Sequence, residues 1–201
     1  GKNRLAVSLE GHGREDLVEG ADLSRTVGWF TSMFPVVFDV SSSDLGLTVK
    51  EVKETLRKVP HKGAGYGVLR YLNPAVQNKI KHTVKPELSF NYLGRFEDGN
   101  NQAFSSMPMG IQVSLLNHYS NGLDFNSVIT AGQLTVHVRY DSRTYHYKTL
   151  EQVIRRFEEW LKAIVRHCAG KEETEKTPSD FSDEGLTFEE LDAISQLIDN
   201  L

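Results

Sequence analysis

Hydrophobic and polar positions along the chain follow two periods, one typical of strands and one typical of helices. Short runs rich in β-branched and aromatic residues predict strands over 5–9, 33–40, 87–93, 111–116, 123–130 and 133–140. Turn dipeptides join the last three runs, which predicts a meander. Within 133–140 the even-numbered positions are apolar and alternate with Thr135, His137 and Arg139. The two faces of this strand are therefore expected to differ in polarity.

Helical periodicity predicts three longer helices. The first opens at the capping box Thr48-x-x-Glu51 and ends before Pro60. The second opens at Thr149-x-x-Gln152 and ends at Gly170, and the third opens at Thr187-x-x-Glu190. The second helix is predicted to bury an apolar stripe of Leu150, Val153, Ile154, Phe157, Leu161, Ile164, Val165 and Cys168.

Glycine-rich or polar stretches predict loops at 61–67 and 97–109. A short helix is predicted over 66–72, where Asn73-Pro74 stops it. Because strands and helices mix along the chain, its predicted class is α/β or α+β.

Composition narrows the possible classes of protein. A length of 201 residues suits one large domain, or one domain with an appendage. The net charge of −4 argues against broad nucleic-acid binding, and no apolar run reaches the roughly 18 residues that a membrane span needs. The single cysteine, Cys168, permits no internal disulfide and favours an intracellular, cytoplasmic location. The chain begins inside a strand-like run without a signal-peptide pattern, so we expect an excised piece of a longer protein.

Charge is distributed unevenly. Residues 179–201 contain seven acidic residues and neither lysine nor arginine. Because the whole chain carries −4, the remainder carries +3. This difference predicts a body over 1–170, a charged linker over 171–178 and a separate acidic segment over 179–201. The apolar face of the last helix consists of Leu191, Ile194, Leu197, Ile198 and Leu201.

Glu10 is the first candidate for chemistry, because it ends a strand and precedes two glycines. A carboxylate between apolar walls can have a raised pKa and act as a general base. A solvated turn carboxylate is the more frequent alternative from spacing alone. His12 lies between Gly11 and Gly13, which let the backbone approach a ligand, although a lone histidine is more often structural.

Other candidates are weaker when taken singly. Arg25 and Trp29 belong to a stretch that could line a pocket, and the loop around Tyr66 lacks the lysine of a phosphate-binding P-loop. Asn91 and Tyr92 lie on opposite sides of a predicted strand, so only one can face a given cleft. The histidines show no metal-ligand spacing, and with one cysteine we expect no metal site.

Four motifs in order resemble the later core motifs of epimerization domains of nonribosomal peptide synthetases. They are E-G-H-G-R-E at 10–15, R-T-V-G-W-F-T-S-M-F-P-V at 25–36, P-H-K-G-A-G-Y-G at 60–67 and F-N-Y-L-G-R-F at 90–96. The resemblance implies one lobe of a chloramphenicol acetyltransferase-like fold, a two-layer sandwich of a mixed sheet and flanking helices, with a helical C-terminal tail. The first-lobe motif His-His-x-x-x-Asp is absent, so the resemblance implies an inactive isolated lobe.

The resemblance also implies an activity and a set of site residues. The family inverts the Cα of an L-aminoacyl or peptidyl thioester, which hangs from the phosphopantetheine arm of a carrier domain. Glu10 would be an acid/base in a tunnel between two lobes, and Asn91 and Tyr92 would shape or polarise the site. The residues expected to line the tunnel are His12, Arg25, Trp29 and Tyr66. No cofactor is expected to bind directly.

The acidic C-terminal segment resembles a short donor docking helix that meets a basic segment of the next synthetase. A helix packed on its own domain is the alternative. The implied partners are an upstream peptidyl carrier domain, the N-terminal lobe and a downstream synthetase. A peptide-bond-forming condensation domain and a non-catalytic docking module remain alternative functions.

Overall fold

The computed structural model describes residues 3–15, 19–40, 42–80, 85–96, 114, 122–171, 174–181 and 186–199. The chain divides into two compact units. The helical unit comprises Gly1–Leu5, Phe38–Lys62 and Tyr147–Leu201, and the sheet unit comprises Ala6–Val37 and Gly63–His146. The predicted loop at 97–109, the predicted strand at 111–116 apart from Ser114, and Asn121 of the first meander turn lie outside the described residues.

The described strands form a mixed sheet, which confirms the predicted class. They are β1 Arg4–Gly11, β2 Ser32–Asp39, β3 Leu88–Phe96, β4 Leu123–Thr130 and β5 Gln133–Tyr140. Their order in the sheet is β2-β1-β3-β4-β5. Strand β3 is parallel to both β1 and β4, whereas β4 and β5 are antiparallel. The carboxyl ends of β1, β3 and β4 therefore lie at the same edge of the sheet.

The turn between β4 and β5 forms where the sequence predicts it. Ala131 and Gly132 both have positive φ values, of 49° and 74°. Two successive positive φ values are typical of the tight hairpin turns whose twist matches that of the flanking strands. The hairpin register follows, and it pairs Asp124 with Arg139.

The helices are α1 Leu45–Arg57, α2 Ala64–Gly67, α3 Pro74–Ile80, α4 Tyr147–Ala169 and α5 Phe188–Asp199. The predicted start of α1 at Thr48 is wrong. Asp44 caps the helix, because its carboxylate accepts a hydrogen bond from Leu47 N at 2.7 Å. Thr48 lies inside the helix and donates to the carbonyl of Asp44 at 2.8 Å. The predicted start of α4 at Thr149 is also wrong, since the helix begins at Tyr147.

The predicted loop at 61–67 begins as a left-handed turn, with φ values of 47° at His61 and 48° at Lys62, and only Ala64–Gly67 is α-helical. A 3-10 turn, Pro60–Gly63, leads into α2, and a π-helical turn, Val68–Leu72, continues from it. The sequence pattern does not predict helix α3, because Asn73-Pro74 indicates only the end of the preceding helix. Asn73 caps α3 by accepting a hydrogen bond from Ala75 N at 3.1 Å. Proline has no N–H to satisfy and suits the first position of a helix.

The predicted burial of the α4 stripe is only partly correct. Leu150 is buried and Phe157, Leu161 and Ile164 are partly buried, whereas Val153, Ile154, Val165 and Cys168 are exposed. An apolar stripe shows which face of a helix prefers burial, but a neighbouring element must cover it. The predicted end of the helix is confirmed, because Gly170 N donates to the carbonyl of Arg166 at 3.0 Å.

Helix α5 begins at the predicted capping box. Thr187 N donates to the Glu190 carboxylate at 2.9 Å, and Glu190 N donates to Thr187 Oγ1 at 3.2 Å. On its apolar face Leu191 is buried, whereas Ile194 and Leu197 are exposed. Among the described helices, none combines the length and the apolarity that crossing a membrane requires.

Candidate functional site

Glu10 lies at the carboxyl end of β1, next to the parallel strand β3. Its side chain is partly buried. Asn91 on β3 donates a hydrogen bond from Nδ2 to Glu10 Oε2 at 2.8 Å. Ser127 on β4 holds the backbone of Asn91 in turn, by donating to its carbonyl at 3.0 Å. Three adjacent strands therefore position one carboxylate oxygen of Glu10.

Polar side chains form two rows across one face of the sheet. The first row, read from β1 to β5, is Ser8, Ser89, Asp124 and Arg139. The second row is Glu10, Asn91, Asn126 and His137. Intervening residues such as Val7 and Phe125 are buried, and alternation along each strand turns them to the opposite face. One face of the sheet therefore carries an extended polar surface that includes Glu10.

Asp124 lies at the centre of this surface and is only 7% exposed. Ser89 Oγ donates to its Oδ1. Its Oδ2 accepts hydrogen bonds from Asn126 Nδ2 at 2.9 Å and from Arg139 at 2.5 Å. These donors and the arginine charge compensate for the loss of water around the buried carboxylate.

The environment of Glu10 raises the pKa of its carboxyl group. Burial is the largest cause, because it disfavours the charged form, and the negative charge of Asp124 raises the pKa further. The positive charge of Arg139 acts in the opposite direction. A carboxyl group with a raised pKa exchanges protons more readily near neutral pH, as a general acid or base requires.

The loop after Glu10 is held by Gly13 and Arg14. Gly13 has a φ of +67°, and a Cβ there would lie 1.6 Å from the carbonyl oxygen of Phe30. Arg14 donates to the carbonyls of Leu23 and Thr26 at 2.5 and 2.8 Å, and its guanidinium lies 4.2 Å from the centre of the Phe30 ring. The glycine and the arginine of E-G-H-G-R-E thus have a structural role.

The other predicted site residues lie in different surroundings. His12 accepts a hydrogen bond from Arg14 N at 3.0 Å, and its Nε2 lies 3.1 Å from Glu15. It lines a cavity of about 690 Å³ together with Arg14, Glu15 and residues 19–24. His12 is therefore bound to its own loop.

Of the two motif residues on β3, Asn91 contacts Glu10 and Tyr92 points to the other face. Tyr92 is half-exposed, and Trp29 is 94% exposed. Arg25 is also exposed. Tyr66 accepts a hydrogen bond from Arg70 at 2.9 Å. Within the described ranges, Asn91 contacts Glu10, whereas Arg25, Trp29 and Tyr66 form no hydrogen bond with it.

Sequence reasoning missed Ser89, Asp124, Asn126 and Arg139 as parts of this surface. A signal was present, because polar residues recur at alternate positions of β1, β3, β4 and β5. Alternation in one strand shows two faces, but only the strand order shows that the polar faces of four strands coincide. Among the described residues, no group of three or more His, Cys, Asp or Glu side chains could hold a metal ion.

A family model described as "Condensation domain" matches residues 1–187. The chain belongs to the condensation domain family. It is 42% identical over 202 residues to surfactin synthase subunit 1 of Bacillus subtilis (strain 168), which covers 98% of this chain and 6% of that protein. It is 39% identical over 209 residues to gramicidin S synthase 1 of Brevibacillus brevis, covering 98% of this chain and 19% of that protein.

A solved structure agrees with this assignment. The crystal structure of the epimerization domain from the third module of tyrocidine synthetase B matches this condensation-family chain with a TM-score of 0.76 and 38% identity. The match covers 84% of this chain and 38% of the chain in that structure. The resemblance drawn from the four motifs is confirmed, and the chain spans a small part of each relative's length.

Proposed function

We propose that this chain is the second lobe of an epimerization domain, which inverts the Cα of an aminoacyl or peptidyl thioester on a carrier domain. The observation that carries the proposal is the environment of Glu10. A partly buried carboxyl with a raised pKa ends β1 and is oriented by Asn91. The 38% identity to a solved epimerization domain supports the same reading.

Inversion needs removal of a proton from one face of Cα and return of a proton to the other face. The thioester carbonyl acidifies this proton, and the intermediate is an enolate. Asn91 holds Oε2 of Glu10, which leaves Oε1 for proton transfer. Glu10 would serve one face of Cα, and an acid/base from the N-terminal lobe would serve the other. The isolated lobe is then inactive.

The proposal is tested by deuterium wash-in at Cα of an aminoacyl-carrier thioester, with this lobe joined to an N-terminal lobe. Glu10→Gln removes the proton-transfer group but keeps the shape of the side chain. We expect exchange to fall by roughly 100- to 10,000-fold, the usual contribution of a positioned acid or base. The matched control is Glu87→Gln, at the exposed start of the neighbouring strand, which should exchange at the wild-type rate.

Two results would contradict the proposal. Wild-type exchange in the Glu10→Gln domain would remove Glu10 from the chemistry and leave it a turn residue. Full exchange by the 201-residue chain alone would contradict a site shared between two lobes.

A condensation domain that forms peptide bonds is the second candidate, because the model that matches residues 1–187 describes that family as a whole. The same preparation supplied with two loaded carriers distinguishes the two activities. Peptide-bond formation without a D product would favour condensation. A D product without a peptide bond would favour epimerization.

The chain would have three partners in this function. They are an upstream carrier domain that delivers the thioester on its phosphopantetheine arm, the N-terminal lobe, and a downstream synthetase that meets α5. The exposed side chains of Ile194 and Leu197 and the acidic first turn of α5 support the last of these. An acidic amphipathic helix suits a basic groove, because charge steers the encounter and apolar burial provides affinity.

A further inference from the structure

The buried carboxylate of Asp124 has no part in the mechanism above. Burying a charged side chain is unfavourable unless partners compensate for the lost water, and replacing a buried ion pair by apolar residues is often neutral or stabilising. Asp124 is nevertheless surrounded by three donors, from Ser89, Asn126 and Arg139. So complete a set of partners fixes the carboxylate in one position.

Arg139 connects this buried carboxylate to the surface. Its side chain is 51% exposed, while that of Asp124 is 11% exposed. The arginine therefore remains partly hydrated and can be changed with little loss of packing. Changing Arg139 therefore alters the charge of the pair without replacing a buried side chain.

Strand order places the pair close to Glu10. One strand, β3, separates β1 from β4, so these two strands are about 10 Å apart, and Glu10 and Asp124 lie in neighbouring rows of the polar surface. That separation is comparable to the screening length in physiological salt, and partly buried charges are screened less. The charge of Asp124 accordingly raises the pKa of Glu10, after the larger effect of burial, and Arg139 opposes it.

We propose that Asp124 and Arg139 are positioning residues whose opposite charges, acting from two and three strands away, control how readily Glu10 holds a proton. The proposal rests on the proposed acid/base role of Glu10. Asp124 favours the protonated state of Glu10, and Arg139 limits that effect.

Other ionisable groups lie on the loop after Glu10 and on the strands of the same sheet, and they must be kept constant. They are His12, Arg14 and Glu15 on the following loop, Arg95 on β3, and His137 on β5. His12 pairs with Glu15, and Arg14 binds two backbone carbonyls. Changing only Asp124 or Arg139 leaves all five in place.

The test is a carbon-13 NMR titration of the Glu10 carboxyl group in the 201-residue chain, assigned by comparison with Glu10→Gln. Asp124→Asn removes the negative charge and should lower the titration midpoint. Arg139→Gln removes the opposing charge and should raise the midpoint. Arg139→Lys keeps the charge and should match wild type, as should Asp141→Asn, which breaks a separate turn pair with Arg143.

We expect the titration midpoint of Glu10 to fall in Asp124→Asn and to rise in Arg139→Gln. Wild-type midpoints in both variants, or movement in the same direction, would overturn the proposal. If Asp124→Asn does not fold, the difference between Arg139→Gln and Arg139→Lys decides alone. In the two-lobe domain, the pH profile of Cα exchange should move in the same direction as each midpoint. Absence of exchange in the wild-type domain would contradict the proposed function, whereas unchanged midpoints would contradict only this inference.

Discussion

At the scale of single residues, the motif E-G-H-G-R-E works through sterics as well as through its carboxylate. Gly13 accepts a left-handed backbone where the carbonyl of Phe30 leaves no room for a Cβ. Arg14 also holds the loop in place, because it donates hydrogen bonds to the backbone carbonyls of Leu23 and Thr26. The loop leaves the strand immediately after Glu10, so these two residues constrain how the carboxylate is presented.

Gly13→Ala should destabilise the protein more than Gly132→Ala. Both glycines have positive φ, of 67° and 74°, so each alanine introduces left-handed strain of roughly 1–2 kcal/mol. A Cβ at Gly132 meets nothing within 4 Å, whereas a Cβ at Gly13 meets Phe30. Urea denaturation at neutral pH measures the two free energies of unfolding. Equal losses would show that the loop moves away from Phe30 without cost.

At the scale of elements, residues 174–181 are tightly attached to α1. Ser179 donates from N and Oγ to the buried Glu54, at 3.2 and 2.5 Å, and Thr177 is almost fully buried. Asp180 accepts hydrogen bonds from Lys53 at 2.5 Å and from Arg57 at 2.6 Å. These contacts precede α5 directly, and they anchor the start of the segment that leads into it.

Glu54→Gln should weaken this attachment by about 1–3 kcal/mol at neutral pH, because it removes a buried charged acceptor. Burial raises the pKa of Glu54, but the hydrogen bonds from Ser179 and Thr177 outweigh it, and the net pKa lies below the ordinary value of 4.5. A carboxyl whose pKa is lowered on folding stabilises the protein above its unfolded pKa, and this stabilisation is lost as the pH falls.

The advantage of wild type over Glu54→Gln should therefore shrink as the pH falls below 4.5. Urea denaturation of both proteins across this range measures it. Glu158→Gln is the control, since that exposed carboxylate makes a surface pair with Lys162, and such pairs contribute little. A constant difference at every pH would mean that Glu54 acts by shape and not by charge.

Only one of the three capping boxes predicted from the sequence begins a helix in the structure. The box at Thr187 and Glu190 is real, whereas Thr48 and Thr149 lie inside helices. A capping motif shows only that a side chain could accept a hydrogen bond from a free backbone N–H at the start of a helix. In α1 it is Asp44, four residues before Thr48, whose carboxylate accepts this hydrogen bond. The motif at Thr48 alone therefore could not identify the helix start.

At the scale of the whole molecule, the two units carry different proposed tasks. The sheet unit holds Glu10 and its polar surface, while the helical unit presents the acidic helix α5. A reaction on a tethered substrate and a contact with a further protein would then reside in separate parts of one chain. The function of the helical unit can be tested without disturbing Glu10.

Leu197→Ser should lower affinity for a basic amphipathic peptide, the proposed kind of partner, by roughly tenfold or more. Leu197 is 68% exposed, and burying a leucine contributes about 1.5–3 kcal/mol. Stability should not change, in contrast to Leu191→Ala, which removes a buried side chain. Fluorescence anisotropy with a labelled peptide measures the binding. Unchanged affinity in Leu197→Ser would indicate that α5 docks no partner through this face.

The sequence by itself determined the strands β1 to β5, most of the helices, and the opposite orientations of Asn91 and Tyr92, because these follow from local periodicity and backbone sterics. It also identified Glu10 through its motif. Only the tertiary structure decided the strand order, and with it the contact between Asn91 and Glu10 and the nearness of Asp124 and Arg139. Strand pairing joins residues that are far apart in the chain, such as Ser8 on β1 and Ser89 on β3, and no local pattern encodes which polar faces will meet.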